Sequence, residues 1–185
     1  SRYTVAYMDN KCVINLFGKS CAGKTSVADI IQNFTPGLYT LDWDINKQQL
    51  SHYYWKNDSE TIRSLSFGFF QAACTVDLPL LLLLPRFRSK QEFDAYQTYA
   101  SDSGYGRIVS IELDAPDEVL IKRYQKRLED YWPSKKGIVP KTIEEFTKAL
   151  HDTYYEPSNT VTFDSSIVTT EEIAQQILSI IPRDE

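Results

Sequence analysis

The chain of 185 residues is poor in the side chains that build redox and metal centres, with two histidines, one methionine and three cysteines. Cys12, Cys21 and Cys74 cannot all pair with one another, and none stands in C-x-x-C spacing. Free thiols and a reducing, cytoplasmic setting are therefore expected. Neither His52 nor His151 has a partner at a spacing that would build a metal site or a nucleophilic triad. Long hydrophobic runs are missing too. The most apolar stretch, Leu78 to Pro85, is far too short to span a bilayer, and no leader is visible, so no membrane partner is expected. Positive charge is not in excess: 20 Lys and Arg stand against 25 Asp and Glu, a net charge of −5. That balance disfavours a broad electrostatic grip on a nucleic-acid backbone.

Repeats, low-complexity tracts and Gly/Ser-rich linkers are also absent, so residues 1–185 read as a single domain. The seven residues before Met8 read either as an added tag or as an extra edge strand. What the chain does have is an alternation of strand and helix patterns. Cys12 to Phe17 is a short apolar run ended by Gly18, and a helix follows with Val27, Ile30, Ile31 and Phe34 on one face. A strand over Leu38–Leu41 ends at Asp42, and a helical stretch covers about 46–75. Leu80–Leu84, flanked by Pro79 and Pro85, reads as a fully buried strand. A helix near 89–101 precedes a strand over 107–113, and Asp114 and Pro116 open a helix reaching about residue 131. A polar loop, a helix near 142–155 and a strand at 160–163 come next. Thr169 and Glu172 stand in capping-box spacing at the start of the last helix. Five short strands separated by helices predict an α/β fold: a three-layer α/β/α arrangement around a five-stranded, mostly parallel sheet. Ligands of such sheets bind at the carboxyl ends of the strands, which points to Gly18, Asp42, Arg86 and Asp114.

Gly18-Lys19-Ser20-Cys21-Ala22-Gly23-Lys24-Thr25 matches the phosphate-loop pattern G-x-x-x-x-G-K-[ST] at every fixed position, and Ser26 follows it. Glycines let the backbone curl so that successive N–H groups face phosphate oxygens, and the helix that begins near Lys24 adds its positive end. Lys24 is placed to reach the β- and γ-phosphates, and the Thr25 hydroxyl to bind Mg²⁺. The motif follows an apolar strand and opens an amphipathic helix, which is the context its mechanism needs.

With this loop, Leu41-Asp42-Trp43-Asp44, and the stretch from Ile111 through Arg123 to Arg127, the chain resembles the P-loop kinase superfamily over nearly its whole length. That superfamily includes nucleoside monophosphate, shikimate, gluconate and adenylylsulfate kinases. The resemblance implies an ATP- and Mg²⁺-dependent kinase that moves the γ-phosphoryl group to a hydroxyl or phosphate of a small molecule, nucleoside or nucleotide. It also implies roles for individual residues. Asp42 and Asp44 are similar to the D-x-D of shikimate and gluconate kinases, Asp42 near the metal and the acceptor hydroxyl and either one in contact with substrate. Arg123 and Arg127, one helical turn apart, fall where the family places phosphate-binding arginines beside a lid. The lid itself would span about 132–141, with Lys135 and Lys136 at its tip, and the acceptor region about 43–75. Arg86, after Pro85, resembles an acceptor-phosphate ligand, although the usual Asp-Gly before it is replaced by Leu83-Leu84. Arg63 lies in the acceptor region with no motif around it. Thr162 to Ser166 would lie beside the adenine base. Trp43, His52, Tyr53, Tyr54 and Trp55 read as core and rim packing or as a stacking wall for a ring-bearing acceptor.

A GTPase would carry [NT]-K-x-D on a late strand, but the Asn-Lys pairs, Asn10-Lys11 and Asn46-Lys47, are both early and without the aspartate. An ATP-driven motor would end a buried strand in aspartate, whereas Leu80–Leu84 runs into Pro85. A polynucleotide 5′-hydroxyl kinase, with a nucleic-acid end as partner, and a non-kinase P-loop NTPase are the alternative readings.

Overall fold

A computed structural model describes residues 11–130 and 139–181. Residues 132–138 of the expected lid over 132–141 lie outside these residues, as do the seven residues before Met8; Lys135 and Lys136 fall in that part of the lid. The strands are β1 (Cys12–Gly18), β2 (Leu38–Asp42), β3 (Leu80–Leu84), β4 (Val109–Asp114) and β5 (Val161–Asp164). The helices are α1 (Lys24–Phe34), α2 (Trp43–Gln49), α3 (Trp55–Thr75), α4 (Lys90–Asp102), α5 (Asp117–Asp130), α6 (Ile143–Ala149) and α7 (Thr170–Ile180). The sheet order is β2-β3-β1-β4-β5, and each of its four pairings is parallel. Every crossover between described strands contains a helix, as parallel pairing requires.

Leu80–Leu84 is the fully buried strand its pattern predicts, with alternate side chains on opposite faces. Leu80, Leu82 and Leu84 join one apolar core, with Ile14, Leu16, Val27, Ile31, Ile111, Leu113, Ile173 and Ile177. Leu81 and Leu83 join the other, with Val13, Ile62, Phe70, Phe93 and Tyr96. Burial on both faces explains why this strand reads as a continuous apolar run rather than an alternating one. Each large aliphatic side chain taken out of water there contributes roughly 1.5–3 kcal/mol before the entropy of ordering is counted.

Two expected helices are shorter than their patterns. The stretch read as 46–75 is two helices, because Asp42 starts the first at Trp43 and His52, at φ 55°, breaks the chain before Trp55. The helix read as 142–155 stops at Ala149. Beyond it the chain runs across the molecule, and Tyr155 N–H donates to the Phe87 carbonyl at 2.8 Å. A long-range contact thus overrides local propensity there. The capping box of Thr169 and Glu172 is formed as expected, and Thr142 and Glu145 form a second one.

The register aligns the carboxyl ends on one edge: Gly18 lies opposite Leu113, Asp42 opposite Leu84, and Asp114 opposite Asp164. Gly18 is what allows β1 to turn there. Its φ is +132°, and a Cβ on it would lie 2.0 Å from the Leu113 carbonyl oxygen. Gly18→Ala therefore combines a left-handed penalty with a backbone clash, and a loss of roughly 3 kcal/mol or more is expected. For a chain of this size that is a melting temperature lower by about 6–12 °C, checked by thermal denaturation. An unchanged midpoint would contradict the close packing of β1 on β4.

Candidate active site

The loop between β1 and α1 is shaped by three residues with positive φ: Gly18 (132°), Cys21 (66°) and Gly23 (100°). Cys21 occupies a region costly for a side chain, a strain often found at ligand clamps. Within the loop Ala22 N–H donates to Lys19 O at 3.3 Å. Gly23, at the N-cap of α1, offers no side-chain cap, and the first turn holds no acidic residue. By contrast α2, α4, α6 and α7 are each capped by a side chain, from Asp42, Ser89, Thr142 and Thr169. The amides of Lys24, Thr25 and Ser26, at the positive end of α1, therefore have no side-chain cap.

Lys24 folds back over the loop, its Nζ donating to Gly18 O at 3.0 Å and Lys19 O at 2.8 Å. Burial pushes its ammonium down to about 8, against the pull of Asp44. A cation held this way is short of a negative partner. Thr25 and Ser26 are exposed beside it. Lys19 turns outward to Asp117 at 3.3 Å and Asp114 at 3.4 Å, and burial, which lowers its pKa, is outweighed by those carboxylates.

A cleft of about 530 Å³ opens from the loop toward the acceptor region, with Gly18, Ser20, Lys24, Asp44, Arg63 and Arg86 on its wall. Trp43, Tyr53 and Trp55 line it too, so three members of the aromatic group meet there. Trp43 and Tyr53 are nevertheless almost fully buried, as packing residues would be.

The paired aspartates part company. Asp42 uses Oδ1 to accept from Asp44 N–H at 2.8 Å, capping α2, and burial together with Asp44 raises its pKa. Asp44 faces the cleft and accepts from Lys47 Nζ at 2.6 Å. Partial desolvation in the cleft would raise the Asp44 carboxyl, whose side chain is still 64% exposed, but Lys47, Lys24 and Arg127 bring it below its ordinary value. Among the described residues no cluster of three or more His, Cys, Asp or Glu could hold a metal ion alone. Mg²⁺ needs no such cluster, since one or two carboxylates, a hydroxyl, waters and substrate phosphates suffice. Thr25, Asp42 and Asp44 supply those ligand types.

The arginines divide as well. Arg123 donates to Cys21 O at 3.2 Å, Ser165 Oγ at 2.9 Å and Ser165 O at 2.9 Å, tying the loop to the turn after β5. Arg127 is exposed one turn further along α5, close enough to help lower Asp44 and to oppose the rise that burial gives the Cys21 thiol. Arg63 is held by Glu92, with Nη1 at 2.7 and 2.9 Å from its two oxygens, and lies 4.8 Å over the Trp43 ring. Arg86 lies 4.8 Å over the Tyr154 ring, and burial lowers its pKa. Among the described residues no carboxylate lies within 4.0 Å of its guanidinium.

Lys47, Lys141 and Tyr154 complete the site without a motif to announce them. Lys141 lies 4.4 Å over the Trp55 ring, and burial, Lys47 and Arg86 push its pKa down. The turn at Thr162–Ser166 borders a second hollow of about 300 Å³, shared with Lys19 and Asp114–Asp117.

No protein-family model matches the chain, and no curated protein sequence does either. Solved structures do. A candidate kinase of Chloroflexus aurantiacus superposes with a TM-score of 0.70 at 13% identity, over 94% of this chain and 100% of that one. The APS kinase of Mycobacterium tuberculosis, solved with AMPPNP and APS, gives 0.61 at 22%, over 92% and 97%. A gluconokinase of Sinorhizobium meliloti gives 0.51 at 18%, over 94% and 96%. The chain has the P-loop kinase fold. The five-stranded parallel sheet and the helices on its two faces are those of that fold, and the loop at Gly18–Ser26 sits at the carboxyl end of its central strand. At these identities the likeness carries the architecture and leaves the chemistry to this chain's own residues. Among the described residues no helix is long and apolar enough to cross a membrane.

Proposed function

We propose that the chain is an ATP-dependent phosphotransferase that moves the γ-phosphoryl group to a hydroxyl or phosphate of a small-molecule acceptor in the cleft beside Asp44. The observation that carries this reading is the loop at Gly18–Ser26, where uncapped amides and a backbone-held Lys24 ammonium meet at the floor of that cleft.

In this reading the loop amides and Lys24 hold the terminal phosphates of ATP, and Thr25 with Asp42 holds Mg²⁺. The ion supplies charge neutralisation and a fixed orientation for the phosphates. Asp44, kept ionised beside Lys47, orients the acceptor hydroxyl for in-line attack and takes up its proton. Arg86 on the cleft wall and Arg127, whose charge reaches Asp44, offset charge on the transferring group. Arg123 stiffens the loop from behind rather than touching phosphate, and Arg63 contributes by fixing the wall. Six cations, Lys24, Lys47, Lys56, Arg63, Arg86 and Lys141, line the cleft against two carboxylates, Asp44 and Asp152. In a chain of net charge −5 that excess favours an acceptor carrying negative charge.

The test is label transfer from [γ-³²P]ATP to a panel of sugars, sugar acids, nucleosides, nucleotides and 5′-hydroxyl RNA and DNA ends. Label on one small anionic acceptor is the expected result. Label on nucleic-acid ends, with a rate that falls steeply with salt, would favour a polynucleotide kinase instead. Release of inorganic phosphate with no acceptor labelled would favour an NTPase.

A further inference from the structure

Glu112 is a charged side chain inside the sheet, 7% exposed. Its place in β4 sets it between Phe17 of β1 and Thr162 of β5, and it alternates with Ile111 and Leu113 of the first core. A buried carboxylate is costly unless its oxygens are satisfied. Both are. The Tyr154 hydroxyl donates to Oε1, and the Thr162 hydroxyl donates to Oε2 at 3.3 Å. Only replacing this side chain together with its hydroxyl partners by apolar groups would be near neutral in stability, so the contact is read by what it directs.

What it directs is Tyr154. This residue lies in the irregular segment after α6, where no helix fixes its orientation. Its ring meets Phe17 edge-on at 6.1 Å and carries the Arg86 guanidinium at 4.8 Å. The backbone around Arg86 is held from two other sides. Arg63 Nη2 donates to Arg86 O at 3.3 Å, and Tyr155 N–H donates to Phe87 O at 2.8 Å. Arg86 thus lines the cleft on a prepared platform.

We propose that Glu112 is a positioning residue: through the Tyr154 hydroxyl it fixes the aromatic platform on which Arg86 lies, and so sets where that guanidinium meets the anionic group in the cleft. The functional part of this inference rests on the phosphotransferase reading, while the placement of Arg86 does not.

Tyr154→Phe keeps the ring and its packing and deletes only the hydroxyl. With the acceptor that takes label in the panel, or with water if none does, it should lower kcat/KM about tenfold or more. The dissociation constant for MgAMPPNP should stay within about twofold, since Lys24 and the loop are untouched. Glu112→Gln can still accept from the phenol and should keep wild-type kinetics within about threefold, whereas Glu112→Leu should match Tyr154→Phe. On an Arg86→Ala background Tyr154→Phe should have no further effect, because the two act as a unit. Unchanged kcat/KM in Tyr154→Phe, or full additivity with Arg86→Ala, would overturn the proposal. The free protein gives a second measurement. The Arg86 Nε–H resonance, expected upfield because the guanidinium lies over the Tyr154 ring, should move in Tyr154→Phe and keep its wild-type position in Glu112→Gln. A wild type that fails to bind MgAMPPNP refutes the phosphotransferase reading; an Arg86 resonance unmoved by Tyr154→Phe refutes this one.

Discussion

Lys24→Ala is expected to remove transfer of label from ATP by about 10³-fold or more while leaving the protein folded. The ammonium has one task in phosphoryl transfer, to meet the negative charge that grows on the oxygens around the moving group. Among the described residues it bonds only to the carbonyls of Gly18 and Lys19. Removing it costs those two bonds and relieves a buried cation whose pKa is driven down to about 8, so the two effects on stability oppose each other. Nucleotide is the sharper probe. At a concentration of MgAMPPNP 100 times its dissociation constant, the wild type should gain about 2.7 kcal/mol. That corresponds to a melting point higher by roughly 5–11 °C for a chain of this length. The variant at the same concentration should gain almost nothing. Wild-type turnover in Lys24→Ala would place the chemistry elsewhere.

The second large effect separates Asp42 from Asp44. Asparagine caps a helix as well as aspartate does, so Asp42→Asn leaves α2 in place and removes only charge. Its expected signature is a higher Mg²⁺ requirement for transfer. Asp44→Asn removes the carboxylate that faces the cleft and releases Lys47. A fall in kcat of about 10²–10⁴-fold is expected, with MgAMPPNP binding retained, because general-base help is lost from the transition state rather than from the complex. The measurement is kcat and nucleotide affinity on both variants across a Mg²⁺ series. Equal losses of turnover and affinity in Asp44→Asn would deny it the role of orienting the acceptor. A larger loss of kcat in Asp42→Asn than in Asp44→Asn would exchange the two roles.

The fold was legible because its strands are short, apolar and separated by capped helices. Leu80–Leu84 between two prolines and the loop after Phe17 leave little freedom to the chain. The loop that floors the candidate site was easy to propose, since the pattern that suggests it is one contiguous segment of the sequence. The walls were not. Arg123 and Arg127 sit one turn apart as the spacing predicted, yet the first turns inward to Cys21 and Ser165 and the second faces solvent. Arg63 finds Glu92, 29 residues away, a partner that no local pattern names. Tyr154 lies 42 residues from Glu112 in a segment that reads as the tail of a helix. Such pairs are set by which strands neighbour one another, and that order appears only once the sheet is assembled. Lys47 was the exception. Three residues after Asp44 on a helix, it could have been paired with that carboxylate from spacing alone.

A crystal structure of the protein with AMPPNP and Mg²⁺ tests the central claim most directly. The β- and γ-phosphates should lie within hydrogen-bonding distance of the amides from Lys24 to Ser26, with Lys24 Nζ swung off the Gly18 and Lys19 carbonyls onto the phosphate oxygens. A nucleotide bound away from the loop, with Lys24 still bonded to those two carbonyls, would contradict it.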